Sequence, residues 1–180
     1  MKWCTTRHLH MDRVATPWLI RRFIDPDAEF FFVPWFGSLT GPADATPFGI
    51  PGVELGPYDT DGSCFEKVAR KFSVEDPVVW QIVKVLEGGI AYTLDGRQPT
   101  QEDRLGQIGM GLVAISEGVM ITRETDLEII ESSMGIYDAL YARLKTEILV
   151  ERRGIELPAG MPFGPGPRNE ILRALLLESL

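Results

Sequence analysis

Cysteine and histidine are scarce in this chain of 180 residues, which has two of each. Two cysteines, Cys4 and Cys64, cannot build the disulfide framework of a small secreted domain or a cysteine-rich zinc knuckle. No run of apolar residues approaches the roughly 20 that are needed to cross a bilayer. The opening residues MKWCTTRH also carry charges where a secretory leader needs an apolar segment. These absences predict a cytoplasmic protein that does not act in a membrane.

An excess of positive charge is lacking too, since the net charge is -8. This balance argues against non-specific binding of nucleic acid, because such binding needs Lys and Arg side chains to neutralise phosphates. The sequence also lacks a G-x-S-x-G elbow, a Walker phosphate loop and a complete G-x-G-x-x-G motif. The glycines of GMGLVAIS (109–116) lie in a helical pattern, where close helix packing explains them better than phosphate binding.

Cations and histidines concentrate at the start of the chain, in the stretch HLHMDRVATPWLIRRFID (8–25) and just before it. Among residues 1–22 a single carboxylate, that of Asp12, stands against five cations. These cations are Lys2, Arg7, Arg13, Arg21 and Arg22. Such a local excess attracts an anion that the whole molecule would repel.

Short strands come first in the chain and helices follow. Strands are predicted at 2–7 and 28–36, with a long Gly- and Pro-rich loop at 37–62 that contains one or two strand fragments, such as 52–55. Helical periodicity and capping residues predict helices at 12–24, 63–72, 76–88, 101–117, 125–151 and 169–180. In the first helix, either Asp12 is the cap and Pro17 makes a kink, or Thr16 caps a shorter helix with Pro17 at its first position.

This order of elements predicts an α+β fold that is mostly helical, with a small sheet from the N-terminal strands packed by five to six helices. Residues 1–153 form the main domain and 154–168 a Pro/Gly linker. Residues 169–180 form a C-terminal amphipathic helix, which docks either on its own body or on a partner subunit; we favour the partner, which would make a homo-oligomer.

The two histidines allow a metal site. If the first strand extends through 6–12, then His8, His10 and Asp12 project from one face, because side chains alternate along a strand. Imidazole and carboxylate suit iron, zinc or manganese. Further ligands would come from Glu54, Cys64 and Glu66. The alternative is that two surface histidines lie near the end of a strand with no ligand at all.

The arginines allow an oxyanion site. Arg13 at the start of a helix would place a cation beside backbone N–H groups that already favour anions. Arg22 is a second candidate, although it lies more than two turns further along the helix. Arg21 and Arg22 have a structural alternative, which is to pair with the nearby carboxylates of Asp25, Asp27 or Glu29.

Cys64 opens a helix after the Gly-rich loop, in DGSCFEKV. A thiol at a helix N-terminus has a lowered pKa and gains nucleophilic and ligand character. Glu66 lies two residues further and could share a metal with it. A buried structural cysteine is the alternative.

Five sequence blocks resemble the C-terminal domain of the chromate-resistance protein ChrB family. These blocks are DRVATPWLIRRFIDPDAEFFFVP (12–34), ATPFGIPGVEL (45–55), CFE (64–66), GLVAISEG (111–118) and YDALYARL (137–144). The positions that carry the resemblance are Asp12, Arg13, Trp18, Arg22, Glu54, Cys64 and Glu66. The chain departs from the family pattern at Thr16, where relatives carry Cys or Ser, and in GPYDTDGS, which lacks a histidine found in relatives.

The resemblance implies a role in chromate resistance. We expect a domain that binds a metal ion or an oxyanion in a polar pocket between the first helix and the Gly-rich loop before Cys64. The metal ligands would be His8, His10, Asp12, Glu54 and Glu66, and the oxyanion would contact Arg13 and Arg22. The alternative is a metal-dependent enzyme with Glu54, Cys64 and Glu66 as catalytic residues. A chromate-responsive transcriptional regulator is a third reading, against which the acidic charge and the missing helix-turn-helix pattern argue.

Overall fold

A small parallel sheet lies at the start of the fold. The computed structural model describes residues 1–35, 41–158 and 166–180. The strands are β1 (Lys2–Thr6), β2 (Glu29–Val33) and β3 (Thr46–Pro47), in the spatial order β2-β1-β3. Both neighbours run parallel to β1. Together with the helices described below, this sheet confirms the predicted α+β, mostly helical fold.

The central strand β1 is buried on both faces, as is typical of a parallel strand that is covered by other elements. Trp3 is fully buried and packs its ring against Phe48 and Phe72, with centroid distances of 6.2 and 5.4 Å. Burying one large apolar side chain contributes roughly 1.5–3 kcal/mol, so Trp3 is a main anchor of the sheet. The predicted strand fragment at 52–55 is wrong, because only Leu55 makes a single bridge, to Phe48.

Helix α1 (Asp12–Leu19) continues into a wider π-helical turn, Ile20–Ile24, so the predicted helical range 12–24 is confirmed. Neither predicted cap is used. The residue before α1 is Met11, which has a φ of 49° and makes no side-chain cap. Pro17 lies inside the helix and has no N–H to give to the carbonyl of Arg13, and the helix widens three residues later.

The remaining helices overlap the predicted ranges, and the first four of them begin at a polar cap or an acidic first turn. They are α2 (Cys64–Lys71), α3 (Pro77–Asp95), α4 (Arg104–Thr122), α5 (Asp126–Arg153) and α6 (Gly166–Leu176). Ser63 accepts a hydrogen bond from the N–H of Glu66 at 3.2 Å, and Asp76 accepts one from Val78 at 2.8 Å. These caps satisfy N–H groups that have no partner inside the helix.

Helices α3 and α4 cross at glycines. A Cβ added to Gly109 would lie 2.1 Å from the carbonyl oxygen of Val85, and one added to Gly88 would lie 2.5 Å from the Cα of Gly106. Of the two glycines in GMGLVAIS, Gly109 therefore serves close helix packing, as predicted, whereas Gly111 has no neighbour within 4 Å of an added Cβ. α4 is long and apolar enough to cross a membrane, a property that it shares with the core helices of many soluble proteins. Of its most apolar 18 residues, 28% are buried.

Contacts divide the described chain into two compact units, Met1–Tyr137 and Asp138–Leu180. In the second unit, Lys145 Nζ on α5 donates to the carbonyl of Leu176 on α6 at 3.0 Å. The predicted docking of this helix on a partner subunit stays a prediction. Part of the predicted linker, 159–165, lies outside the described residues.

Candidate functional site

The chain leaves the sheet after Thr6, and this early end decides what the histidines can do. His8 has a φ of 59°, a left-handed conformation that interrupts an extended strand. The predicted strand through 6–12, with His8, His10 and Asp12 on one face, is therefore wrong. His8 is exposed, whereas His10 is half-buried.

His10 is held in a mixed electrostatic environment. Burial lowers its pKa, Glu117 and Asp12 raise it, and Arg13 lowers it. The net effect is a lowered pKa, so the imidazole is neutral at pH 7. Its Nε2 atom is enclosed and has no hydrogen-bond partner among the residues described. His10, Asp12 and Arg13 therefore share one neighbourhood, as the sequence suggested.

Asp12, Thr16 and Cys64 form a buried cluster where α1 meets the start of α2. Asp12 Oδ2 accepts a hydrogen bond from the backbone N–H of Cys64 at 3.1 Å. Thr16 Oγ1 donates to the carbonyl of Asp12 at 2.6 Å and lies 3.4 Å from Cys64 Sγ. Since the single hydroxyl hydrogen of Thr16 is given to Asp12, the thiol of Cys64 is the donor in the second contact. The first helix and the loop before Cys64 therefore meet as predicted, but the side chains at their contact are buried and leave no open pocket between them.

The thiol of Cys64 is protonated in this setting. Complete burial raises its pKa well above the ordinary value, and the Asp12 carboxylate raises it further. The expectation of a lowered pKa at the α2 N-terminus is wrong, because desolvation and a neighbouring negative charge outweigh the helix terminus. The arrangement is that of a structural cysteine; its predicted catalytic role is left without support and stays a prediction.

Arg13 fastens the turn that follows β1. Its guanidinium donates to Thr6 Oγ1 and, at 3.1 Å, to the carbonyl of His8. The guanidinium also lies over the ring of Trp35, 4.8 Å from the centroid. A Cβ added to Gly49, which has a φ of 60°, would lie 2.8 Å from the Arg13 side chain. The N–H groups of Arg13 that the oxyanion hypothesis assigned to a ligand therefore donate to acceptors of the protein itself.

Both helix N-termini near this turn are also occupied. In α1 the N–H of Arg13 donates to the carbonyl of His10 at 3.2 Å, and that of Val14 donates to Met11 at 3.0 Å. At α2 the carboxylate of Asp12 takes the place that an anion would fill. An oxyanion at either terminus would have to displace groups of the chain itself.

Glu54 and Glu66 do not join this cluster as a pair of carboxylates. Glu54 is exposed and pairs with Lys71, at the opposite end of α2 from Cys64. These two ends are about 10 Å apart at 1.5 Å of rise per residue. Glu66 lies in the first turn of α2 beside Gly62, with Arg70 at 4.0 Å. The two side chains are therefore separated, and their predicted shared roles stay predictions.

Arg22 lies elsewhere as well, on a surface depression that it shares with Arg21 and Glu131. Arg21 pairs with Glu131 at 2.6 Å, so its partner is not one of the nearby carboxylates that the sequence offered. Across residues 1–35, 41–158 and 166–180, no three His, Cys, Asp or Glu side chains are grouped so as to hold a metal ion. The residues named for iron, zinc or manganese are thus not brought together in the described part of the chain, and their role as metal ligands stays a prediction.

An open cleft of about 510 Å³ lies beside the turn that Arg13 fastens. We call it the cation cleft, because Arg7, His8 and Arg123 line it. Its apolar wall comes from β2 and from the junction of α4 and α5. This wall contains Phe30, Phe31, Phe32, Met120, Leu127 and Ile129. Neither Arg7 nor Arg123 takes part in an ion pair with any residue that the structure describes.

Hydrogen bonds hold the side chain of Arg123 and the backbone beside Arg7 and His8 in place. Arg123 Nε donates to Ser132 Oγ at 2.6 Å, and another guanidinium nitrogen donates to the carbonyl of Thr122 at 2.9 Å. On the other side, Arg13 contacts the carbonyls of Arg7 and His8. The sequence pointed to Arg7 only as one of the five cations near the start of the chain, and it did not point to Arg123, since no motif links two positions so far apart.

A second cavity, of about 810 Å³, lies between the end of α3 and the start of α4. Two of the cations that line it are paired within the protein. Lys84 pairs with Glu87 at 2.9 Å, and Arg97 pairs with Asp95 at 3.5 Å. The cation cleft is therefore the better candidate for an anionic ligand, although it is the smaller of the two.

The fold and the cleft define a class of protein, a mostly helical α+β domain with basic side chains gathered at the carboxyl end of a small parallel sheet. The family model described as ChrB, C-terminal domain, matches residues 3–144. The chain belongs to this family, which confirms the resemblance found in the sequence.

The chain is also similar to Protein ChrB of Cupriavidus metallidurans, with 40% identity over 93 residues. This match covers 49% of the chain and 28% of that protein, so the similarity spans less than a third of the relative. No solved structure matches the chain.

Proposed function

We propose that this chain acts in chromate resistance by binding a tetrahedral oxyanion, chromate, in the cation cleft. The observation that carries the proposal is the convergence of Arg7, His8 and Arg123 on one cleft, with no ion pair to either arginine among the described residues. Membership of the ChrB C-terminal domain family gives the biological context.

The chemistry of the cleft suits a small dianion. Arginine presents planar, rigid N–H donors, which match the oxygens of phosphate-like groups. The carboxylates of Glu124 and Asp126 also line the cleft, and Asp126 accepts the N–H of Leu9 at 2.9 Å. These negative charges lower the affinity that we expect, so that binding depends on both arginines together.

Arg13 has a different role in this proposal from the one that its helix position suggested. It contacts the carbonyls of Arg7 and His8, and so it orients the two side chains that would touch the anion. Arg13 is therefore a positioning residue, and we expect the variant Arg13→Lys to weaken binding although its charge is kept.

Binding of chromate and of sulfate, measured by titration calorimetry at constant ionic strength, tests the proposal. Losing one charge-assisted hydrogen bond costs about 1.5–3 kcal/mol, so Arg7→Gln and Arg123→Gln should each raise Kd by roughly tenfold or more. Arg97→Gln is the matched control, because Arg97 is an exposed arginine that pairs with Asp95. Equal losses in all three variants would show unspecific attraction and contradict the proposal.

A further inference from the structure

The outer edge of β2 is a row of backbone groups without a strand partner among the described residues. β2 is parallel to β1, and the N–H of Glu29 donates to Met1 at 3.0 Å while Val33 accepts from Arg7 at 2.8 Å. In a parallel pair, every second residue bonds to the same neighbour. Glu29, Phe31 and Val33 therefore face β1, and the N–H and C=O groups of Phe30 and Phe32 point to the outer edge.

The cation cleft runs along this edge. Side chains alternate between the two faces of a strand, so three consecutive residues can line one cleft only where the cleft borders the strand edge. One residue of a strand occupies roughly 160 Å³, from a rise of 3.3 Å, a strand spacing of 4.8 Å and a sheet spacing of 10 Å. The cleft of about 510 Å³ thus has room for a short extended segment.

The two edges of the sheet differ in their protection. β3 forms one edge, has only two residues and carries Pro47, which cannot donate to another strand. β2 presents Phe30, Phe31 and Phe32 without a proline or a charge among them. An apolar edge of this kind is a template for pairing with another extended chain.

We propose that the edge of β2 binds an extended peptide segment of a partner protein, with an acidic residue at one end. The peptide backbone would pair with the outward groups of Phe30 and Phe32, and its apolar side chains would contact the wall of the cleft. The carboxylate would lie next to Arg7, His8 and Arg123, because Arg7 follows β1 at the carboxyl end of β2. The carboxylates of Glu124 and Asp126 line the cleft as well, so the acidic residue is selected by Arg7 and Arg123, which have no ion pair among the described residues, and not by a net positive charge.

A chromate ion would compete with that carboxylate for the same arginines. Binding of the oxyanion then displaces the peptide, which gives the domain a way to report chromate to a partner. This competition rests on the proposed function, whereas docking of the peptide on β2 does not.

The probes are two fluorescent peptides, each with six residues of alternating valine and threonine. One carries two glutamates at its N-terminus and the other carries them at its C-terminus. Matched peptides carry two glutamines instead. We expect the glutamate peptides to bind more tightly, and Arg123→Gln to weaken their binding by roughly tenfold or more while leaving the glutamine peptides unchanged. Equal binding of glutamate and glutamine peptides would overturn the role of the cations.

Backbone pairing has its own test. Phe32→Pro removes an outward N–H without touching the hydrogen bonds between β1 and β2, and Phe32→Leu keeps the N–H and is the control for the lost ring. We expect only the proline variant to abolish binding. In the unaltered protein the peptide should slow amide exchange at Phe30 and Phe32, and leave Phe31, already paired, as it was. Unchanged exchange at Phe30 and Phe32 would overturn the inference even if folding of Phe32→Pro is impaired.

Adding chromate separates the two proposals. Release of bound peptide by chromate, and not by an equal concentration of chloride, supports both. Chromate binding in a protein that takes up no peptide leaves the proposed function standing and overturns this inference. A peptide that protects Phe30 and Phe32 but is not displaced, in a protein that binds no chromate, supports docking and contradicts the proposed function.

Discussion

The buried cluster of Asp12, Thr16 and Cys64 and the cation cleft are built by the same stretch of chain, which leaves β1 and enters α1. In the cluster, each polar group has a partner within the protein, and the thiol is fully enclosed. In the cleft, Arg7 and Arg123 are open to solvent. The polar groups of the cluster thus find their partners within the protein, whereas the two arginines of the cleft have no ion pair among the described residues.

The comparison shows that residue types typical of functional sites can instead stabilise the fold. Asp12 and Cys64 join α1 to α2 and keep water out of their contact, so substitutions there should act on stability. Arg7 and Arg123 contribute little to packing, so substitutions there should act on binding. The predictions below test this division.

The largest expected effect is that of Asp12→Ala. The substitution leaves the buried N–H of Cys64 unpaired, and losing a hydrogen bond to a charged group costs roughly 1.5–3 kcal/mol of unfolding free energy. Urea denaturation followed by circular dichroism measures this loss. Asp44→Ala is the control, because Asp44 makes an exposed pair with Lys2 at 2.9 Å, which contributes at most about 1 kcal/mol. Equal losses in both variants would remove the special position of Asp12.

A smaller loss is expected for Thr16→Val, which keeps the shape of the side chain and removes the hydroxyl that contacts Asp12 and Cys64. We expect about 1 kcal/mol of destabilisation. Thr122→Val is a matched control, since Thr122 makes the same kind of bond to the carbonyl of Gly118 at 2.9 Å on an exposed part of α4. The unfolding free energy of the control should change less; the reverse order would contradict a buried, tightly paired cluster.

His10 lies between the two regions and should make stability depend on pH. Its pKa is lowered in the folded state by burial, so the folded protein binds the proton less readily than the unfolded chain does. The stabilisation is present above the unfolded pKa of about 6.5 and is lost as pH falls below it. Urea midpoints measured from pH 7.5 to 5.0 should fall, and less steeply in His10→Gln. An unchanged slope in that variant would show that His10 is not the group responsible.

How far the sequence predicts the molecule depends on whether the deciding interactions are local. Most helix positions follow from neighbouring residues, as at α3, where the cap Asp76 is confirmed. The end of β1 at Thr6 depends on side-chain contacts that neither helical periodicity nor strand alternation predicts, those of Arg13 with Thr6 and with the carbonyl of His8. The left-handed conformation of His8 in this turn ends the alternation that would have placed His8 and His10 on one face.

The candidate site was predicted in part, for the same reason. The meeting of the first helix with the loop before Cys64 was an expectation that accompanied the family resemblance, and the structure brings Asp12 and Cys64 together. Burial could not be seen in the sequence, and burial is what keeps the thiol protonated. Arg123 follows α4 and comes near Arg7 only through the packing of α4 and α5 beside the sheet, so no spacing in the sequence announces it.

The smallest loss of stability is expected for substitutions of the cleft arginines, and it is the most direct test of the difference between the cleft and the buried cluster. Arg7 and Arg123 are exposed, and surface substitutions of this kind usually change the unfolding free energy by no more than about 0.5 kcal/mol. Arg7→Gln should therefore unfold at the same urea concentration as the unaltered protein. Arg123→Gln loses its bond to Ser132 Oγ as well, so its loss should be slightly larger but still well below that of Asp12→Ala. If Arg7→Gln destabilised the protein as much as Asp12→Ala, Arg7 would be a structural residue like its buried neighbours, and weaker chromate binding in that variant would no longer identify a binding site.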